Sequence, residues 1–183
     1  MRALEPQTGL AARLAVETSP HAVLKVASAA LVDATGLDTA FSALYRDEHA
    51  AFELTSAHGP SAAALWAHSA WVPTLGDPFI ERMLLRGGIG VLPDARAAAG
   101  VNPAIVEPLG TTTLVCLPLR LGEKVYGLLG AGCFEGVGPR PVPEARLRAA
   151  RAVGAMTSQA LARAQLVHLA RKPDRPDLEA AVD

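Results

Sequence analysis

The stretch "TTTLVCLPLRLGEKVYGLLGAGCF", Thr111 to Phe134, constrains the chain more than any other. It reads as two apolar strands folded back at Gly122 and Glu123. Gly127, Gly130, Ala131 and Gly132 stand where a strand ordinarily presents Val or Ile, so part of this sheet has room above it. Either a ligand or another piece of chain must occupy that room. Alternation puts Gly130 and Gly132 on one face together with Leu128. Leu114 and Cys116 join that face only if Pro118, which cannot donate to the ladder, marks a bulge that shifts the register by one. That shifted register is the one expected. Turning the hairpin at 122 and 123 sets Cys116 near Leu128 or Leu129 and leaves Cys133 about four residues, or roughly 13 Å, further along. A disulfide tolerates only about 7 Å between Cα atoms, so two separate buried thiols are expected.

A chain of 183 residues supports one sizeable core. Half of the residues are hydrophobic and 19% are charged, which excludes wholesale disorder. Seventeen basic residues against eighteen acidic ones give a net charge of −1, with no Lys/Arg stripe to follow a phosphate backbone, so nucleic acid is not an expected partner. The first residues lack a signal-peptide core, and no apolar run approaches the roughly 18 residues that a membrane span needs. A cytoplasmic protein with no membrane partner is expected.

Along the chain, residues 1–18 read as an arm or short helix, 19–171 as one domain, and 172–183, "KPDRPDLEAAVD", as a solvated tail. "SPHAVLKVASAALVDATG" carries helix punctuation: Ser19 as N-cap, Pro20 at the first position, Gly36 past the end. Alternation predicts strands near 40–46 and 51–57, joined at Asp47 to His49. Residues 60–86 turn helical and irregular, "GIGVLPD" is a short strand, and 95–110 is a loop or one helical turn. A long helix begins at Pro143. Helix, hairpin, irregular segment, strand, hairpin and long helix make an α+β sandwich: a mostly antiparallel sheet with the terminal helices on one face and the irregular segment over the other.

The stretches "DTAFSALYRDEHAAFELTSAHG", "GGIGVLPDARA", "TTTLVCLPLRLGEKVYGLLGAG" and "PVPEARLRAARAVGAMTSQALARAQL" resemble a GAF domain, the small sensory module of many signalling proteins, from about Thr18 to His168. The resemblance implies a ligand pocket between the sheet and the segment linking its second and third strands, here 60–87. The pocket residues so implied are Phe41, Tyr45, Trp66, Trp71, Phe79, Met83, Leu114, Cys116, Leu128, Gly130 and Gly132. Aromatic walls with few charges suit a neutral or apolar planar ligand. The competing readings are that the tryptophans occupy core or partner contacts and that the glycines admit a helix backbone.

No cofactor is expected. Heme held by His58 or His68 is an alternative that asks only for one histidine and an apolar slot. Aligned on "VCLPL", the catalytic cysteine of the family's free methionine-R-sulfoxide reductases falls near Glu107, and its substrate-binding carboxylates fall near Leu114, Gly130 and Gly132. Those departures argue against an enzyme. The family's cyclic-nucleotide signature and its bilin-attaching Cys-His pair are missing too.

The last helix carries Leu147, Gly154, Leu161 and His168 at sevenfold spacing, with Ala164 and Val167 on its final turns. Such a seam predicts a homodimer through the terminal helices, the alternative being that it covers only its own sheet. The expected function is a stand-alone sensor that binds a small molecule and signals to an effector protein in trans. Its alternative is a ligand-free GAF fold acting as a dimeric scaffold.

Overall fold

The computed structural model describes residues 5–134 and 136–171. The expected tail at 172–183 lies outside the described residues, as do residues 1–4 of the expected arm. The rest of that arm is mostly a helix, α1 (Glu5–Val16).

The second helix, α2 (Pro20–Thr35), starts and stops where its punctuation demands. Pro20 opens it, and Gly36 closes it at φ 70° with its N–H on the Val32 carbonyl. Ser19 precedes it in an extended conformation without a side-chain capping bond. Val23, Leu24, Ala27 and Leu31 form one buried stripe, as helical spacing requires.

Strands β1 (Thr39–Arg46) and β2 (Ala51–His58) are joined by a 3-10 turn, Asp47–His49. Next come α3 (Ala62–His68), β3 (Trp71–Pro73), α4 (Pro78–Arg86), β4 (Gly90–Leu92) and α5 (Pro103–Val106). The chain then forms the hairpin β5 (Thr113–Leu121) and β6 (Lys124–Cys133), and finally α6 (Glu144–Arg171). The fold is α+β, with one six-stranded sheet in the order β3-β2-β1-β6-β5-β4 and every neighbouring pair antiparallel. The short edge strand β3 was not foreseen; Pro73 falls at its end, where a missing N–H is tolerated.

The hairpin contains one surplus residue, placed differently from the expectation. Pro118 pairs in register with Leu128, and the shift comes between Leu119 and Arg120, which face Gly127 and Val125 and leave Tyr126 unpaired. The consequence for the faces is the same. Leu114 stands opposite Gly132 and Cys116 opposite Gly130. Cys133 pairs with Thr113, three positions from Cys116 and on the other face, and both thiols are free and buried.

One face of the sheet is covered by α1, α2 and α6, whose Leu14, Leu24, Leu31 and Leu161 pack on Val115, Leu117, Leu119 and Leu129. Ser28 and Ser42 bridge α2 and β1 inside this layer, each hydroxyl also turned to the Leu24 carbonyl, so neither polar group is stranded. Arg163 of α6 donates to the Leu14 and Glu17 carbonyls at the end of α1, where helical backbone acceptors lack partners.

This layer changes the reading of the last helix. Gly154, Leu161 and Ala164 are buried within the protomer and Leu147 is half-buried there. A Cβ on Gly154 would lie 3.0 Å from Leu117 Cδ2, so the small residue serves close approach of α6 to its own sheet. The sevenfold seam is therefore core, because α1 and α2 flank the helix while the sheet lies beneath it. Val167 is half-buried, and only His168 of the expected interface set is exposed.

Candidate functional site

The opposite face of the sheet carries a second core, built from Ala43, Phe52, Leu54, Leu114, Cys116 and Leu128 and covered by short elements. Here the glycines of β6 find their explanation. Gly130 lies between Phe41 on β1 and Cys116 on β5, and a Cβ there would collide with the tip of the Phe41 ring. At Gly132 a Cβ would stand 2.8 Å from the ring of Phe134. Both glycines thus make way for phenylalanine side chains on the floor, which neither the ligand reading nor the helix-backbone reading foresaw. Gly127, one face over, admits the close approach of the Ala43 carbonyl on β1, with Leu161 of α6 in ordinary contact beyond it.

Above the rings, Leu65 of α3, Val72 of β3 and Phe79 and Ile80 of α4 form a cover that Val101, Val106 and Leu109 complete. Between floor and cover remains a cavity of about 60 Å³ with an almost wholly apolar lining. Ligand pockets run from about 300 to 1,000 Å³, so this space suits a molecule of few heavy atoms. Val101 and Val106 also line an outer cleft of about 450 Å³ that Arg96 and Glu107 border. Those two valines are the partition between inner cavity and surface.

Of the expected pocket residues, Phe41, Phe79, Leu114, Cys116 and Leu128 line the cavity. Gly130 and Gly132 lie beneath the rings of its floor. Tyr45 packs against Phe52 with ring centroids 5.4 Å apart, and Met83 is buried beside Gly90; both stand outside the lining. Trp66 and Trp71, expected as the roof, are each 48% exposed. In α3 the inward position belongs to Leu65, and the next residue is about 100° round the helix. In β3 alternation turns Val72 inward and Trp71 outward, where its ring meets His49 edge-on at 5.0 Å. His58 and His68 are exposed and border no part of the cavity, so neither is placed to ligate a heme within it, and the space is far smaller than a macrocycle.

Three polar residues of the lining, Ser69, Asp77 and Thr111, escaped the sequence reading, and Asp77 is the charged one. Asp77 is only 2% exposed and caps α4. Its Oδ1 accepts from the Phe79 and Ile80 amides at 2.9 and 3.1 Å, and its Oδ2 accepts from the Asn102 amide at 3.3 Å. "DP" ahead of an amphipathic run was the available signal, an N-cap followed by proline at the first helical position. Burial, and then the charge of Asp77, push the Cys116 thiol far above its ordinary range. Such a thiol stays protonated and is a poor nucleophile. Cys133, on the helix-covered face, is raised by burial and by Asp38, whose Oδ2 lies 3.6 Å from its sulfur. Among the described residues no group of three or more His, Cys, Asp or Glu could hold a metal ion, and no helix is long and apolar enough to cross a membrane.

Residues 19–161 match the GAF domain family. Among solved structures, the chain is similar to the GAF domain of an Acinetobacter phosphoenolpyruvate-protein phosphotransferase, with TM-score 0.71 and 17% identity over 90% of this chain and 95% of that one. A GAF domain/HD domain protein from Geobacter sulfurreducens gives 0.70 and 16%, covering 87% and 98%. The free methionine-R-sulfoxide reductase from Neisseria meningitidis, solved with its substrate, gives 0.70 and 16%, covering 87% and 88%. At these identities the structures speak to the fold alone. A search of curated proteins found no match.

Proposed function

The chain belongs to the GAF domain family, and from that premise we propose that it is a cytoplasmic, non-enzymatic sensor that takes up a small, largely apolar molecule and signals to a partner protein. The observation that carries this reading is the cavity between β1, β5 and β6 and the α3 to α5 cover, with its almost wholly apolar lining. An enzyme reading finds little support, since the cavity's thiol, Cys116, is held protonated and no cysteine stands in the 95–110 segment. The test is xenon under pressure, a probe small enough for a cavity of about 60 Å³, followed by amide NMR shifts and thermal denaturation. Shifts confined to Leu65, Val72, Ile80, Val106 and Leu128 with a raised Tm are expected; an unchanged spectrum at saturation would remove the reading.

A homodimeric scaffold is the second reading. Leu166 and Leu169 on the last turns of α6 are 69% and 61% exposed, and Val16, at the end of the helix that Arg163 ties to α6, is 75% exposed. These residues, not Ala164, would face a second copy. Sedimentation at micromolar concentration should show a dimer that Leu166→Glu with Leu169→Glu splits; a monomeric wild type would end the reading.

A further inference from the structure

The outer edge of β4 is bordered by two arginines for which the described residues supply no counterion. Phe79, Arg82, Met83 and Arg86 stand at i, i+3, i+4 and i+7 of α4 and form one face of that helix. With residues 88–92 they line an open cleft of about 360 Å³. Ile89 and Val91 pack with the helix-covered core, whereas Leu92 belongs to the opposite one and a Cβ on Gly90 would stand 2.7 Å from the Phe79 ring. Residues of both sheet faces thus border the same cleft, so it follows the edge of the strand rather than lying over one face. Such an edge leaves the N–H and C=O of alternate residues without a ladder partner. The opposite edge strand, β3, ends in Pro73; β4 is as short, but it contains neither a proline nor a charged side chain of its own.

Charge decides the partner. Arg82 and Arg86 are both exposed, and the ion pairs among the described residues lie elsewhere, at Arg46–Glu53, Arg140–Asp38 and Arg151–Glu144. Like charges at i and i+4 of a helix repel, and an incoming anion relieves that repulsion. The acidic residues that flank the cleft in sequence, Glu81 and Asp94, accept from the Gly76 and Arg96 amides and do not line it. Four residues of helix rise about 6 Å, and alternate residues of an extended chain stand about 6.6 Å apart on one face. An added strand can therefore present two carboxylates, two residues apart, to the two guanidiniums. Antiparallel pairing with the β4 of a second copy would instead set arginines against arginines. We infer that the β4 edge takes up an extended acidic segment of a partner protein, which adds a seventh strand along residues 88–92 and lays alternate carboxylates on Arg82 and Arg86. This interface stands whether or not the inner cavity holds a ligand, although Phe79 borders both spaces.

The test uses the intact chain and three short capped peptides: one with Glu alternating with Val, one with Lys alternating with Val, and the first again with every backbone amide N-methylated. Amide NMR should place the shifts caused by the Glu peptide at residues 88–92, with the Lys peptide and the N-methylated peptide each at least about tenfold weaker. Arg82→Glu with Arg86→Glu changes two exposed side chains and should reverse the order, so that the Lys peptide binds the more tightly. If that variant fails to fold, Arg82→Gln with Arg86→Gln takes its place and should abolish the preference for Glu over Lys. Equal affinity for the Glu and Lys peptides in wild type, or an order unmoved in the folded variants, would overturn the acidic partner. An N-methylated peptide bound as tightly as its parent would reduce the site to anion contact on the arginines and overturn the added strand. Shifts at 88–92 on raising the protein concentration alone would assign the edge to a second copy and overturn the proposal as well. Failure of all three peptides to bind folded wild type would remove the interface and leave the reading of the cavity untouched.

Discussion

The two faces of the sheet are covered in opposite styles. On one, three helices, α1, α2 and α6, lay continuous apolar stripes on Val115, Leu117, Leu119 and Leu129. On the other, α3, α4 and α5, of seven, nine and four residues, with the three-residue β3, meet Phe52, Leu54, Leu114 and Leu128 at many angles. Long helices can present matched stripes and close up to the density of a crystal. Short pieces leave gaps, and here the gap is a cavity. A sheet can thus be rigid on one side and receptive on the other, without any difference in how its strands pair.

The sharpest way to break that contrast is on the packed side. Ala164 is fully buried in the helix-covered core, so Ala164→Glu should strand a charge and cost about 4 kcal/mol or more, enough to unfold a marginal domain. Urea denaturation would read this directly, and a folded variant of near-native stability would show the helix layer to be looser than its geometry implies. On the receptive side the same experiment has a milder form. Gly130→Ala pushes into the Phe41 ring, which has a cavity to retreat into, so a cost of about 1–3 kcal/mol is expected, largely recovered by adding Phe41→Leu. A cost above that of Ala164→Glu would reverse the contrast.

The third measurement asks whether the receptive side is dry. Burial, then Asp77, holds the Cys116 thiol protonated in the folded chain, whereas in the unfolded chain it ionises near its ordinary value of 9.0. Below that value both states carry the proton and the group is silent. Above it the unfolded state alone loses the proton, so stability should fall by about 1.4 kcal/mol per pH unit from this thiol. Cys116→Ala should lack that share of the slope. Equal slopes in the two proteins would mean that water reaches the floor.

Legibility in the sequence followed the same division. Helix α2, both hairpins and α6 were readable because each carries a period over many residues, with Pro20, Gly36 and Gly122 as punctuation. Over the receptive face a period has no length in which to declare itself. One step around seven-residue α3 exchanges Leu65 for Trp66, and one step along three-residue β3 exchanges Val72 for Trp71, so both tryptophans were assigned to the wrong side. The sevenfold seam of α6 was read as a face between subunits, whereas Gly154, Leu161 and Ala164 pack against the chain's own sheet and helices, since spacing says that a face is buried and not by what. Asp77 was missed because a cap and a pocket residue look alike until the fold brings Asn102 and Cys116 to it.

Tyr126, the surplus residue of β6, carries a lesson about how this chain can change. Pairing alternates faces with a period of two, and the bulge at Tyr126 absorbs one residue without changing which partners meet on either side of it. Removing Tyr126 alone would close the bulge into a regular ladder, because Arg120 already faces Val125 and Leu119 already faces Gly127, and Gly130 and Gly132 would stay opposite Cys116 and Leu114. Removing a second residue would set the turn and the β1 pairing in conflict, and settling it in favour of the turn would send Gly130 and Gly132 under α6. Loss of the one surplus residue should therefore be tolerated in this hairpin, whereas loss of two should not.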